Sequence, residues 1–283
     1  MRNFDRSERF FGKDGLAKLR TKSIAIVGAG GLGTHVTQQT ALHGVRRFAL
    51  IDDQTFQSTD QNRYVGVRYD DIGTLKVVLA ERLIKSIEPE ADVTTVEKEL
   101  ATPEAFAAIK HADIIFGCLD NEGARLILTE LCAAYAKPLF DLASDIEIED
   151  APRYGGRVIA AFTGNGCPVC LGELDMAEAT DDLSTPEQRR QRHELYGINK
   201  AALDGTGPAV VSINGVVASL GVNEFMLYVT GIRPPRSVLT YRGDLGGVFV
   251  RKEPARADCY YCHGIWNQRE RTGVERYLNL RIR

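Results

Sequence analysis

The sequence predicts an α/β fold built on a mostly parallel sheet. Three observations carry that reading. Short apolar runs alternate with segments of helical periodicity through the first half of the chain. The first run leads directly into a glycine turn, Gly28-Ala-Gly-Gly-Leu-Gly33. Two later runs end on acidic residues, Asp52-Asp53 and Asp120-Asn121, where open α/β sheets present ligand-binding side chains.

Residues 4–20 read as an amphipathic helical arm. Ser23–Val27 (SIAIV) is a buried strand feeding the glycine turn, and residues 34–43 form the helix that follows. Arg47–Ile51 (RFALI) is the second strand. A polar stretch, 54–73, precedes a helix over 75–87 with apolar residues at helical spacing. Residues 91–96 and 112–118 read as the third and fourth strands. The helix 124–136 and a fifth strand, 138–142, complete the alternation.

The pattern then changes. Residues 157–162 read as a strand running into Cys167-Pro-Val-Cys170. Segment 175–206 is polar, with Asp175, Glu178, Asp181 and Asp182 followed by Arg189, Arg190 and Arg192, and reads as a mobile loop with a short helix. Residues 207–230 form a long apolar helix. Segments 237–241 and 247–251 are short strands leading to Cys259-Tyr-Tyr-Cys262, and a mixed, mildly basic tail occupies 269–283. The chain therefore divides into an arm (1–22), an α/β half that carries the glycine turn (23–150), a second half between and around the cysteine pairs (151–268) and a tail (269–283).

With 283 residues, 44% of them hydrophobic, the chain can bury a sizeable core. A net charge of −3 supplies no basic field for nucleic acid or an anionic membrane. The charged N-terminus lacks a signal-peptide apolar region. Segment 210–230 carries Asn214, Asn223 and Glu224, which argues for a buried helix rather than a bilayer span. Six cysteines in so long a chain are too few for a disulfide scaffold, and their CxxC spacing points to a reducing cytoplasm and a metal.

The two CxxC pairs present four thiolates, the donor set of a closed tetrahedral Zn²⁺ site. Their separation by segment 171–258 means that a metal would tie distant stretches of one fold together. Such a zinc has no open position for water and would be structural, with His263 a neighbour rather than a ligand. The other two cysteines, Cys118 on the fourth strand and Cys132 on a helix, read as core residues.

Gly28, Gly30 and Gly33, between a strand and a helix, suit a phosphate. Glycines admit close backbone approach, and the helix N-terminus offers free N–H groups. Asp52, about 20 residues on, is placed to accept ribose hydroxyls. These features alone fit an NAD(P)-dependent oxidoreductase. Arg63 and Lys76 move the reading towards a triphosphate, which needs more positive charge than a dinucleotide diphosphate.

Taken in order, Gly28–Gly33, Ile51-Asp52, Asp60-Gln-Asn-Arg63, Gly73-x-x-Lys76, Cys118-Leu-Asp-Asn121 and the two CxxC pairs resemble the ThiF/MoeB/ubiquitin-activating-enzyme family of adenylyltransferases, from about residue 4 to residue 264. The resemblance implies a Rossmann-like fold whose mostly parallel sheet continues into antiparallel C-terminal strands, clipped by a structural zinc on four cysteines. It implies ATP-dependent adenylation of the C-terminal glycine of a β-grasp ubiquitin-like or sulfur-carrier protein. By the same resemblance Gly28, Gly30, Gly31 and Gly33 cradle the nucleotide, Asp52 holds its ribose, and Asn121 lies beside it. Arg63 and Lys76 neutralise the triphosphate, and Asp120 holds Mg²⁺. Arg6, on the arm, reaches the γ-phosphate from the other subunit of a homodimer.

Two departures stand out. Asp60 occupies a position where the family has Asn, and could reach Mg²⁺ or a lysine, and Leu75 replaces a proline. Segment 171–258 contains no cysteine, so no crossover thioester is expected and the reaction stops at the adenylate. An NAD(P) oxidoreductase with a structural zinc, and a non-catalytic nucleotide-binding scaffold, are the alternative readings. An inert half would be expected to lose some of Arg63, Lys76 and Asp120.

Overall fold

The computed structural model describes residues 4–148, 151–185, 187, 208–251 and 255–280. One sheet of eight strands organises them, in the order β3-β2-β1-β4-β5-β6-β7-β8. Strands β1 (Ser23–Val27), β2 (Arg47–Ile51), β3 (Asp92–Val96), β4 (Ile114–Gly117) and β5 (Leu139–Glu147) run parallel. Strands β6 (Arg153–Ala161), β7 (Val238–Arg242) and β8 (Gly247–Val250) continue the sheet antiparallel. The mixed sheet matches the expected fold class.

Residue alternation along the central strands divides the core into two layers. Ile24, Ile26, Ile114 and Phe116 face one side, where they meet helices α2 (Gly31–Leu42), α3 (Lys76–Ile87) and α7 (Val211–Thr230). Ala25, Val27 and Ile115 face the other, against α4 (Pro103–His111) and α5 (Glu122–Ala134). Strand order reverses at β1, which lies between β2 and β4. The carboxyl ends of these strands therefore open a crevice.

Several elements differ from the sequence reading. α2 begins at Gly31, inside the glycine motif, so Gly31 and Gly33 are helical. α1 (Asp5–Thr21) is kinked at Gly12, where φ is 69°. α4 was not expected, although Thr102 accepts a hydrogen bond from Ala105 N and Pro103 opens the helix, a combination that suits an N-terminus. β5 runs past its predicted end and β6 begins before its predicted start, because they pair with each other from Leu139–Ala161 out to Glu147–Arg153. α7 starts at Val211 and ends on Gly231, whose left-handed φ of 75° stops the helix. Within the polar stretch, Asp175 caps a short helix, α6 (Met176–Asp182), accepting from Ala177 N and Glu178 N. Residues 186 and 188–206 of the stretch, including Arg189, Arg190 and Arg192, lie outside the described residues.

The tail docks on α5. Arg276 and the Tyr277 hydroxyl both donate to Glu130, which is 1% exposed. Among the described residues, no helix is long and apolar enough to cross a membrane.

Candidate active site

A cavity of about 860 Å³ occupies the crevice at the strand ends. Gly28, Gly30 and Gly31 line it, together with Asp52, Arg63, Lys76 and Asp120. These residues come from five separate stretches of sequence, and the sheet brings them to one place. Gly33, Asn121 and Arg6 do not line it.

The glycines of the loop serve different ends. Gly28 has φ of 92°, and a Cβ there would lie 2.5 Å from the Cys118 carbonyl oxygen. A Cβ on Gly33 would lie 2.0 Å from the Gly28 carbonyl oxygen, so this glycine lets the helix close on the turn. A Cβ on Gly31 would lie 2.5 Å from Asn214 Nδ2, a side chain of α7. Gly30 alone among these four would meet nothing within 4 Å, because its face opens on the cavity. Gly30 is also the N-cap of α2 and supplies no side chain to its first turn. The leading N–H groups of the helix, with their partial positive charge, are left for a ligand.

Asp52 braces this loop. Its Oδ2 accepts from Ala29 N at 2.7 Å and its Oδ1 from Gln54 N at 2.8 Å. Burial raises its pKa, opposed by the Gln54 hydrogen bond and the charge of Lys76. The Tyr64 hydroxyl donates to the Ala29 carbonyl and fixes the loop from the other side. Burial also raises the Tyr64 pKa, which keeps the phenol protonated as a donor.

Arg63 and Lys76 stand beside the loop. Lys76 is 6% exposed and donates to Gln54 Oε1 at 2.6 Å. Asp60 pairs with both cations: Arg63 Nη2 lies 2.7 Å from Oδ1 and Lys76 Nζ 3.8 Å from Oδ2. Asp60 itself does not line the cavity. Of its two sequence-level readings, a reach to lysine fits this geometry and a direct reach to a cavity-bound metal does not.

Asp120 follows β4 and is exposed to the cavity. Asn121 turns away to cap α5, its Oδ1 accepting from Ala124 N at 2.8 Å. The cavity wall beyond Asp120 rests on a buried network that sequence reasoning missed. Arg125, 4% exposed, donates to both oxygens of Asp141 at 2.8 Å and to the carbonyls of Leu119 and Leu142. Arg157 continues it, 3.1 Å from Glu173. On the opposite wall Asn214 accepts from the Ser144 hydroxyl at 2.8 Å, joining α7 to β5 beside the glycine loop. Buried polar residues on apolar helices were the available signal, since such groups require partners.

The four cysteine sulfurs of the CxxC pairs lie within 4.8 Å of one another. Cys167 and Cys259 are 3.7 Å apart, and Cys170 and Cys262 3.8 Å. A zinc tetrahedron with Zn–S bonds of about 2.3 Å has edges of about 3.8 Å, so the donor set and spacing fit that ion. The cluster lies apart from the cavity, and exposed His263 stands outside it. Cys118 is 9% exposed with a thiol pushed up to about 12 by burial, and burial raises the Cys132 thiol as well. Neither is poised as a nucleophile.

Residues 4–260 match the ThiF family. The chain is 25% identical over 273 residues to protein HesA of Leptolyngbya boryana, covering 95% of this chain and 87% of that protein. It is 30% identical over 163 residues to the adenylyltransferase and sulfurtransferase uba4 of Aspergillus fumigatus, covering 56% of this chain and 33% of that protein. The crystal structure of E. coli MccB with ATP shares the fold, with a TM-score of 0.69 at 18% identity over 92% of this chain and 74% of that one.

Proposed function

Because this chain belongs to the ThiF family and is an adenylyltransferase of that kind, we propose that it activates the C-terminal glycine carboxylate of a small ubiquitin-like or sulfur-carrier protein. ATP is the second substrate. One carboxylate oxygen forms a bond to the α-phosphorus, the bond to the β-phosphate bridging oxygen breaks, and pyrophosphate leaves with the electron pair. The barrier is repulsion between two anions, so the protein's task is positioning and charge stabilisation.

The observation that carries this reading is the pairing of an uncapped helix N-terminus with two cations. The open face of Gly30 and the first N–H groups of α2 receive phosphate oxygens. Arg63 and Lys76, lining the same cavity, answer the remaining negative charge. A dinucleotide oxidoreductase leaves that pair without a role, and an inert scaffold has no need to retain it with Asp120. Asp52, which accepts from the loop backbone at Ala29 N, would receive the ribose.

Asp120 would hold Mg²⁺, whose charge would offset the phosphate oxygens. The Cys167, Cys170, Cys259 and Cys262 cluster would hold zinc as a clip between the β6 end and the C-terminal strands, remote from the chemistry. Segment 171–258 holds no cysteine, and Cys118 and Cys132 are buried thiols, so the acyl group passes to an acceptor outside this chain. Arg6, on the exposed start of α1, would act on the site of a second copy in a homodimer.

ATP–pyrophosphate exchange tests the proposal. Exchange should depend on Mg²⁺ and rise when a β-grasp protein ending in glycine is added. Tight NADH binding without ATP binding would reverse it.

A further inference from the structure

The cation pair of the cavity carries its own counter-charge. Asp60 ends a 3-10 turn, Ser58–Asp60, and is 3% exposed. Its Oδ1 accepts from Arg63 Nε at 3.2 Å and Nη2 at 2.7 Å. Its Oδ2 accepts from Gln57 N at 3.0 Å and faces Lys76 Nζ at 3.8 Å. Arg63 and Lys76 line the cavity, whereas Asp60 stands behind them.

This arrangement has two consequences. The guanidinium is pinned through Nε and Nη2 while Arg63 lines the cavity. The two positive charges are also offset by one negative charge at contact distance. Burial works against that negative charge, but the Arg63 and Gln57 hydrogen bonds and the nearby Lys76 outweigh it and lower the carboxyl below its ordinary range. Asp60 is therefore ionised at neutral pH.

We propose that Asp60 is a positioning residue that orients Arg63 and Lys76 and, by offsetting one of their charges, limits their grip on the triphosphate so that pyrophosphate can leave. This rests on the adenylation reading. An uncharged acceptor at the same place would hold Arg63 with its full charge unopposed. Affinity would then rise with the number of phosphates in the ligand, a dependence that a purely structural role does not produce.

Titration calorimetry with pyrophosphate, ATP and AMP on the full chain tests the idea, with thermal melts as the folding control. Asp60→Asn keeps the shape and an acceptor for Arg63. It should bind pyrophosphate about tenfold tighter and ATP likewise, with a much smaller gain for AMP, because the unmasked charge acts on each ligand in proportion to its phosphate charge. Its KM for ATP should fall together with kcat. Asp60→Ala, which frees Arg63, should show no such gain.

Arg63→Gln provides an independent reading that leaves Asp60 in place. There Asp60 offsets Lys76, so the preference for ATP over AMP should shrink by much more than the loss of one of two equal cations would give. A wild-type chain that binds pyrophosphate, with an Asp60→Asn chain that binds it no tighter, overturns the counter-charge and leaves adenylation standing. An Arg63→Gln chain that keeps most of its preference for ATP overturns it too. A wild-type chain that binds neither ATP nor pyrophosphate overturns both.

Discussion

Gly30→Ala separates ligand binding from folding at the glycine loop. Gly30 has φ −78° and ψ −158°, extended backbone open to alanine, and the added methyl would meet no atom within 4 Å. Alanine reduces unfolded-chain freedom, worth about 0.4–1 kcal/mol, while it is a poorer helix N-cap than glycine by a similar amount. Stability should therefore stay within about 1 kcal/mol of wild type. The methyl instead enters the space that a phosphate must occupy to reach the first N–H groups of α2. Losing one charge-assisted hydrogen bond costs about 1.5–3 kcal/mol, or roughly 10- to 150-fold in ATP affinity. Gly33→Ala is the contrast, because its methyl would lie 2.0 Å from the Gly28 carbonyl oxygen and must disrupt the turn itself. Thermal melting and ATP titration of both variants decide the matter. A Gly30→Ala chain that binds ATP as wild type does would show that the nucleotide is not held on this loop.

Asp120→Ala should abolish ATP–pyrophosphate exchange while ATP binding survives, and retained exchange would mean that Asp120 does not hold the metal. Cys167→Ser should yield an insoluble or markedly less stable chain with lowered zinc content, and a chelator should lower the wild-type melting temperature. A soluble serine variant that melts like wild type would refute a structural clip. Asp71 is lowered to about 2, chiefly by its hydrogen bond with Arg82. The stability it contributes is complete above its ordinary value near 3.8 and is lost as pH falls towards 2. Asp71→Asn should therefore destabilise the chain at neutral pH and flatten its acid unfolding limb, and an unchanged limb would contradict this.

Local pattern made much of the fold readable. The strand–glycine–helix order around Val27 to Gly33 shows in the sequence because an apolar run, a turn and a helical period are each local. The CxxC spacing is likewise local, since each pair is a hook on one turn of chain. The α4 helix was also locally encoded, in Thr102 and Pro103, yet it lay in a stretch left unassigned. Asn214 was different. It sits in an apolar run, and nothing in that run announces that its amide meets the glycine loop. The Arg125–Asp141 pair joins a helix to the following strand, and its geometry depends on how α5 lies against β5.

The sequence by itself determined the order of elements, the glycine loop, the cysteine hooks and the presence of Arg63, Lys76 and Asp120, because each depends on residue type and short-range spacing. Tertiary structure alone decided which of these share a cavity. It distributed the work of the loop, leaving Gly30 as the face open to a ligand while Gly28, Gly31 and Gly33 permit close packing of the protein on itself. It also set Asp60 behind its two cations rather than in the cavity. Such contacts depend on the relative placement of strands and helices, which side-chain packing across the whole sheet settles and no local spacing encodes.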